Sequence, residues 1–184
     1  VGIRLWNEWG CKCTLRSNNM TKNFLNLDIS GSYNFQDIDS SNTVNGRPVF
    51  YWVNEQGKEV PSNAGYVALI NSTEIIVQNL NLSNNAQGIL VYSSSNIIIE
   101  NVSISLCRKG IEIRDSNNNT ITHSEITNNE YGIELSFSSN NVIKSNNISG
   151  NAQCAVWVSH ASHNNLIIDN EISKNFHGII FYYN

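Results

Sequence analysis

Three glycines open three near-copies of one phrase: Gly88-Ile89-Leu90-Val91, Gly110-Ile111-Glu112-Ile113 and Gly132-Ile133-Glu134-Leu135, with 22 residues from each to the next. A fixed period of this size means one supersecondary unit stacked on itself, and no compact single-core fold produces it. Sliding the sequence by the period lines up Val77, Ile99, Ile121 and Ile143 in one column, and Leu82, Ile104, Ile126 and Ile148 in a second. Val67, Ile89, Ile111 and Ile133 make a third, and Leu69, Val91, Ile113 and Leu135 a fourth. Alternating segments such as Ile111-Glu112-Ile113 and Thr120-Ile121-Thr122 send every second side chain to one face, so each unit is read as three short strands with the aliphatic columns pointing inward.

A leucine-rich repeat has a similar period, but it needs a helical back segment and a Leu-rich consensus. Here the segments are β-branched and the remainder is Ser, Asn and Thr, which favours coils of strand and turn. The expected fold is all-β, a right-handed parallel β-helix with neighbouring coils about 4.8 Å apart. Asparagine makes up about one residue in six, far above its share in ordinary domains. The column Asn85, Cys107, Asn129, Asn151 falls at a corner where side-chain amides bond up and down the stack, and Asn tolerates the left-handed backbone of such corners.

The register extends in both directions. Cys154-Ala155-Val156-Trp157-Val158 begins a coil two residues longer than its predecessors, and Thr14 to Asn23 follows the template of Val142 to Asn151, with Gly2-Ile3-Arg4-Leu5 as its opening strand. Between residues 26 and 65 the period breaks; Val49 to Val53 is a strong strand bounded by the turn signals Asn45-Gly46 and Gln56-Gly57. The chain is therefore read as one β-helix domain, residues 1–184, with a coil carrying a hairpin-like excursion at 27–65 and regular coils at 66–177, seven successive coils in all. Both ends stop within a coil, which reads as edges covered by other subunits or a piece of a longer protein.

A net charge of −4 without a basic cluster argues against nucleic acid and anionic membranes as partners. No apolar run approaches the length of a membrane span. Sequons at Asn19, Asn71, Asn81, Asn101, Asn118 and Asn147 are in keeping with an extracellular, cell-envelope location.

Glu112 and Glu134 fall one coil apart in an outward column with Arg114 nearby, and two such carboxylates can bind Ca²⁺ or share a proton. The rest of that column reads Leu90, Val156 and Ile180, so it is taken as a solvated face; no catalytic residue is assigned and no cofactor is expected. Tyr51, Trp52 and Trp9 are candidates for stacking on sugar rings. Cys107 substitutes for Asn in a buried ladder and reads as a core thiol, whereas Cys11, Cys13 and Cys154 are candidates for intersubunit bonds. His160 and His163 occupy the corner matching that of Cys11 and Cys13, so stacking one molecule on the next would assemble a Cys₂His₂ metal-ligand set from these four residues.

The cadence of Asn117 to Leu135, NNNTITHSEITNNEYGIEL, resembles the NosD-like repeats of right-handed β-helix proteins, a group that includes carbohydrate-binding proteins and sugar hydrolases. The stretch DIDSSNTVNGRPVFYWVN followed by VPSNAGYVALINS resembles a segment of surface proteins of methanogenic archaea. The unfinished coil ends, taken with this resemblance, lead to the expectation of a non-enzymatic extracellular structural protein, a homo-oligomer self-assembling head to tail or laterally through uncapped coil ends into an envelope layer or sheath. The alternative is a carbohydrate-binding or polysaccharide-cleaving β-helix module with cell-surface polysaccharide as its partner, and the third reading is a NosD-like metal-handling role.

Overall fold

The structure, a computed structural model, describes residues 1–7, 12–31 and 35–182. The aliphatic columns become stacks. Val77, Ile99, Ile121, Ile143 and Ile167 pair in register along one five-stranded parallel sheet. Leu82, Ile104, Ile126, Ile148 and Ile172 do so along another. The third side of each coil is its longest strand, such as Gln87–Tyr92, Lys109–Arg114 or Tyr131–Ser136, and these belong to a nine-stranded sheet, here called the front sheet. Ile89, Val91, Ile99 and Ile104 are all fully buried (0% exposed), each contributing about 1.5–3 kcal/mol by leaving water.

The repeated glycines are required by space rather than by backbone conformation, since none of Gly88, Gly110 and Gly132 has positive φ. A Cβ at these positions would lie 2.6, 2.6 and 2.4 Å from the carbonyl oxygens of Gly110, Gly132 and Ala155 one coil on. The asparagines do two jobs at the corners. Asn79 and Asn101 take left-handed φ of 57° and 49° where the chain turns between strands, in one column with His123, Ser145 and Asp169. Side-chain oxygens of Asn129, Asn151 and Asn175 accept from the backbone N–H of Cys107, Asn129 and Asn151, so each coil is tied to the next at 2.9–3.0 Å.

The N-terminal quarter obeys the same rule and then breaks it. Ile3–Asn7 pairs in parallel with Leu27–Gly31, Thr14–Leu15 with Asp37–Ile38 and Asn19–Met20 with Thr43–Val44, giving two stacked coils of the expected kind. Asn45 and Gly46, with φ of 51° and 76°, then reverse the chain, and Arg47–Val53 pairs antiparallel to Thr43–Val44. The hairpin expected within residues 27–65 forms at Asn45-Gly46, and the described strands around it belong to two coils. They complete the second N-terminal coil, turn back, and form a short coil whose strand Arg47–Val53 pairs with Tyr66–Ile70 at a spacing of 17 residues, Val49 opposite Tyr66. Five regular coils follow and His177–Tyr182 begins another, so the solenoid has about eight coils rather than seven.

The reversal creates a second core. The two N-terminal coils close their interior against the outward face of the front sheet: Met20, Leu27, Ile29 and Val44 pack on Val49, Tyr66, Ala68, Ile70 and Leu90. Asp28 locks the arrangement. Its carboxylate is fully buried and held by Arg4 at 2.6 Å, by Arg108 at 3.0 Å and by the Ser30 hydroxyl. Burial pushes this carboxyl up, but the Ser30 bond and the Arg108 charge outweigh it and hold the group below the usual carboxylate range.

Candidate functional site

Beyond the N-terminal coils the outward face of the front sheet is open. Strand pairing places Leu90, Glu112, Glu134, Trp157 and Ile180 in one outward column along the solenoid. The 22-residue count puts Val156 beside Glu134; the structure puts Trp157 there, and Val156 points into the core. The cause is the first of two single-residue insertions. Tyr131 pairs with Cys154, 23 residues on, so the turn at 150–153 has gained one residue; a second enters at His160 and Ala161, both with positive φ, after which Val142 pairs with Leu166 at 24. A one-residue slip exchanges the faces of a strand, and here it turns a tryptophan outward beside Glu134.

Next to that column runs Gln87, Lys109, Tyr131, Cys154 and His177. The Lys109 ammonium donates to a Glu112 oxygen at 2.9 Å and to a Glu134 oxygen at 2.9 Å. Burial lowers the basicity of Lys109, yet the charges of the two carboxylates more than offset this and hold the ammonium above the ordinary lysine range. The Lys109 cation therefore sits where a Ca²⁺ ion bridging Glu112 and Glu134 would have to lie. Among the described residues no three His, Cys, Asp or Glu side chains converge on a metal position.

Aromatic rings continue the site obliquely across the strands. Tyr131 meets Trp157 edge-on at 5.3 Å between centroids, and Trp157 meets Tyr182 at 6.3 Å, on three successive strands. Burial, then the charges of Glu130 and Glu134, push the Tyr131 phenol up, so at neutral pH it is a proton donor. The patch thus combines an aromatic floor of mutually inclined rings with a fixed ammonium, a partly exposed carboxylate at Glu134 and a phenol. Such parts hold a polyhydroxylated ring: the floor takes a C–H face and the polar groups take hydroxyls. A carboxylate beside a proton donor is also the minimum equipment for glycosidic bond cleavage.

The residues singled out in the sequence are dispersed. Tyr51 is buried in the second core at 6% exposure with its hydroxyl accepting from the Gln36 backbone N–H, so it offers no face to a sugar. Trp52 packs against the main core and edge-on to Phe50, with the Lys58 ammonium 5.8 Å from its ring. Trp9 and Cys11 lie outside the described residues. Cys13 is exposed, but Cys154 is buried, its thiol donating to the Val156 carbonyl at 3.0 Å, which removes it from intersubunit bonding. Cys107 is the expected core thiol, and burial pushes it up to about 12. His160 stacks on Phe137 at 4.8 Å with its Nδ1 on the Ser159 and Ser136 hydroxyls. The reversal at Asn45-Gly46 leaves the corners of Cys13 and of His160 and His163 without the shared coil direction on which head-to-tail matching depended. Of the six sequons, five present exposed asparagines, and Asn147 is half-buried.

Other concavities carry less chemistry. A depression of about 600 Å³ lined by Arg47, Asn63, Asn79, Leu80 and Asn101 has one charged side chain, and Arg47 is already donating to the Asn81 carbonyl.

The sequence profile described as right handed beta helix region matches residues 65–184. No curated protein sequence matches the chain. Among solved structures the chain is similar to the A-module of mannuronan C-5 epimerase AlgE4 from Azotobacter vinelandii, with a TM-score of 0.50 and 13% identity over 88% of this chain and 61% of that one. It is also matched to the enzymatically active domain of tailspike protein 2 of bacteriophage CBA120, with a TM-score of 0.35 and 11% identity over 92% of this chain and 39% of that one. The chain thus spans less than two thirds of either structure. The first of these is a module of an enzyme on the same fold, and the expectation of a protein without enzymatic activity does not stand against it. That expectation rested on Val156 following Glu134 in the outward column, and the residue that follows there is Trp157. The coil stacking and the match over residues 65–184 establish that the chain belongs to the right-handed β-helix family.

Proposed function

We propose that the protein is a carbohydrate-active β-helix module that binds a neutral polysaccharide on the open part of its front sheet. The observation that carries this reading is the contiguous patch Lys109, Glu112, Glu134, Tyr131, Trp157 and Tyr182, with an ion triad at one end and an aromatic row leading from it. The likeness to an epimerase module supports the fold behind it and leaves the substrate to be argued from charge. Around the patch Lys109, Arg108, Arg114 and Arg4 face Glu112, Glu134, Glu130, Asp28 and Asp115, a small excess of negative charge, and each of the four cations is already ion-paired. A polyuronate would meet repulsion where a neutral glycan meets acceptors and donors. In this reading Glu134 acts as base or nucleophile, Tyr131 as proton donor, and Trp157 holds the ring. An extracellular, cell-envelope setting belongs to the same proposal.

The test is titration calorimetry of neutral and uronic polysaccharides, with product analysis, on the wild type, Trp157→Ala and Glu134→Gln. The proposal expects neutral glycans to bind, Trp157→Ala to weaken binding about tenfold, in line with a lost stacking contact, and Glu134→Gln to bind but not turn over. Binding of uronic chains alone, or equal binding by all three proteins, contradicts it.

A further inference from the structure

Resting on that reading, we infer that the site takes a glycoside with an apolar aglycone, and that the aglycone is seated in a cavity of about 410 Å³ beside the ion triad. The regular coils mark this place by departing from their own pattern. At the corner that precedes each front-sheet strand, four coils carry Asn84-Asn85, Asn128-Asn129, Gly150-Asn151 and Lys174-Asn175, and one carries Leu106-Cys107. The first residue of each pair is left-handed, with φ of 59° at Asn84, 56° at Leu106, 55° at Asn128, 68° at Gly150 and 56° at Lys174. Asparagine and glycine tolerate that conformation, whereas a leucine Cβ is crowded in it by the following carbonyl. Leu106 carries the strain without burying its side chain, which is 56% exposed. At the next position the side-chain oxygens of Asn129, Asn151 and Asn175 accept a backbone N–H one coil back, and Cys107 has no such oxygen to offer.

What this apolar corner meets is Phe24. The Asn26 N–H donates to the Asn84 carbonyl at 2.6 Å and the Ala86 N–H to the Leu27 carbonyl at 2.9 Å, which stitches the N-terminal coils to the corner one coil earlier. At the next corner Phe24 and Leu25 line the cavity together with Leu106, Cys107 and Ala152. Phe24 is 89% exposed. Two large apolar side chains left in water around an apolar cavity have the form of a binding pocket rather than of a core, and the volume falls within the roughly 300–1,000 Å³ of small-ligand sites. The occupant follows from the neighbours. Arg108 and Glu130 also line the cavity, and the residues that follow them in the chain are Lys109 and Tyr131 of the site. The Glu130 charge acts on the Tyr131 phenol, while Arg108, the cation in the lining, is committed to Asp28 and is not offered to an acidic ligand. A neutral sugar at Lys109 and Tyr131 thus lies one residue from the cavity, and an alkyl or aryl group joined to that sugar occupies both places at once. An unsubstituted glycan leaves the cavity empty.

Titration calorimetry on the full chain decides this, with the methyl, phenyl and hexyl glycosides of cellobiose, mannobiose and xylobiose as probes, each below its aggregation concentration. Filling the cavity makes the phenyl or hexyl glycoside of the recognised sugar bind about tenfold tighter than its methyl glycoside, the scale of a small apolar group leaving water. Leu106→Asn gives this corner the residue found at Asn84 and Asn128. It should therefore keep or raise the melting temperature, lose most of the phenyl and hexyl gain, and leave the methyl glycoside unchanged. Phe24→Ala reduces the gain in the same way, and Trp157→Ala weakens all the glycosides alike. Equal affinity for methyl, phenyl and hexyl glycosides, or a gain that survives Leu106→Asn, overturns the inference while leaving the carbohydrate reading in place. Failure of every glycoside and of the neutral polysaccharides to bind removes both.

Discussion

The two halves of the front sheet have the same strands, the same pairing and the same inward columns, yet their outward faces have opposite fates. From Arg47–Val53 to Gln87–Tyr92 the outward residues are apolar, Tyr66, Ala68, Ile70 and Leu90, and a second pair of coils folds over them. From Lys109–Arg114 onward the same positions hold Glu112, Glu134, Trp157 and Ile180, and nothing among the described residues packs over Trp157 or Tyr182 as the N-terminal coils do over Leu90. A parallel sheet covered on both faces reads as continuous aliphatic sequence, and one covered on a single face alternates. Gly65 to Ile70 and Gly88 to Val91 are of the first kind, Gly110 to Arg114 and Gly132 to Ser136 of the second. The solenoid is a uniform scaffold, and what each stretch does is set by one residue in two on its outer side.

Substitutions along a single column break or sharpen this contrast. The largest effect is expected inside the shared core, where both halves are alike: Ile121→Asp buries an unpartnered charge, costs several kcal/mol and unfolds the central coils. A cooperative, near-normal melt would defeat the stacking assignment. Next is Leu90→Ala, which opens a cavity in the second core and should cost about 2–4 kcal/mol in chemical denaturation. Lys109→Met removes the ammonium from a carboxylate with 2% side-chain exposure and should cost about 3 kcal/mol. Because Lys109 is held above its ordinary range, its contribution is present at neutral pH and fades only as pH rises into the alkaline region.

Asp28→Asn comes next and addresses the join between the halves. Its arginine partners retain 42% and 28% side-chain exposure and rehydrate easily, so about 1–3 kcal/mol is expected. The depressed Asp28 carboxyl gives stability that is full above the unfolded carboxylate range and lost as pH falls through its lowered value. Melting curves from neutral to acid pH should therefore converge for wild type and Asp28→Asn, and parallel curves would deny the lock. Smallest is Glu134→Leu. It gives the open column the residue type of the covered one, removes a partly exposed pair and should change stability by less than about 1 kcal/mol.

The regular coils were legible because packing there is local: an inward Ile meets the Ile one period away, so the period alone names its neighbour. The glycines and the asparagine ladder were legible for the same reason. The N-terminal fold was not, because Asn45-Gly46 announces a turn without saying on which face the returning strands will lie. Leu27, Ile29 and Leu90 are ordinary apolar residues until that choice brings them together. The site was half legible. Glu112 and Glu134 stand out at the period, but Lys109 between them lies in the neighbouring column, and Trp157 is displaced by an insertion whose position within the turn at 150–153 the repeat count does not reveal. Its signal was present in Gly150-Asn151-Ala152-Gln153, one residue longer than the corresponding corner at 128–130.

Oxidative footprinting of the side chains, with and without a saturating neutral glycan, tests most directly whether the open half is the functional one. The account predicts that Trp157, Tyr131 and Tyr182 lose reactivity when glycan is bound, while Trp52 and Phe24 keep theirs. Unchanged reactivity at Trp157 and Tyr182 under a glycan that demonstrably binds would place the ligand elsewhere on the solenoid and contradict the account.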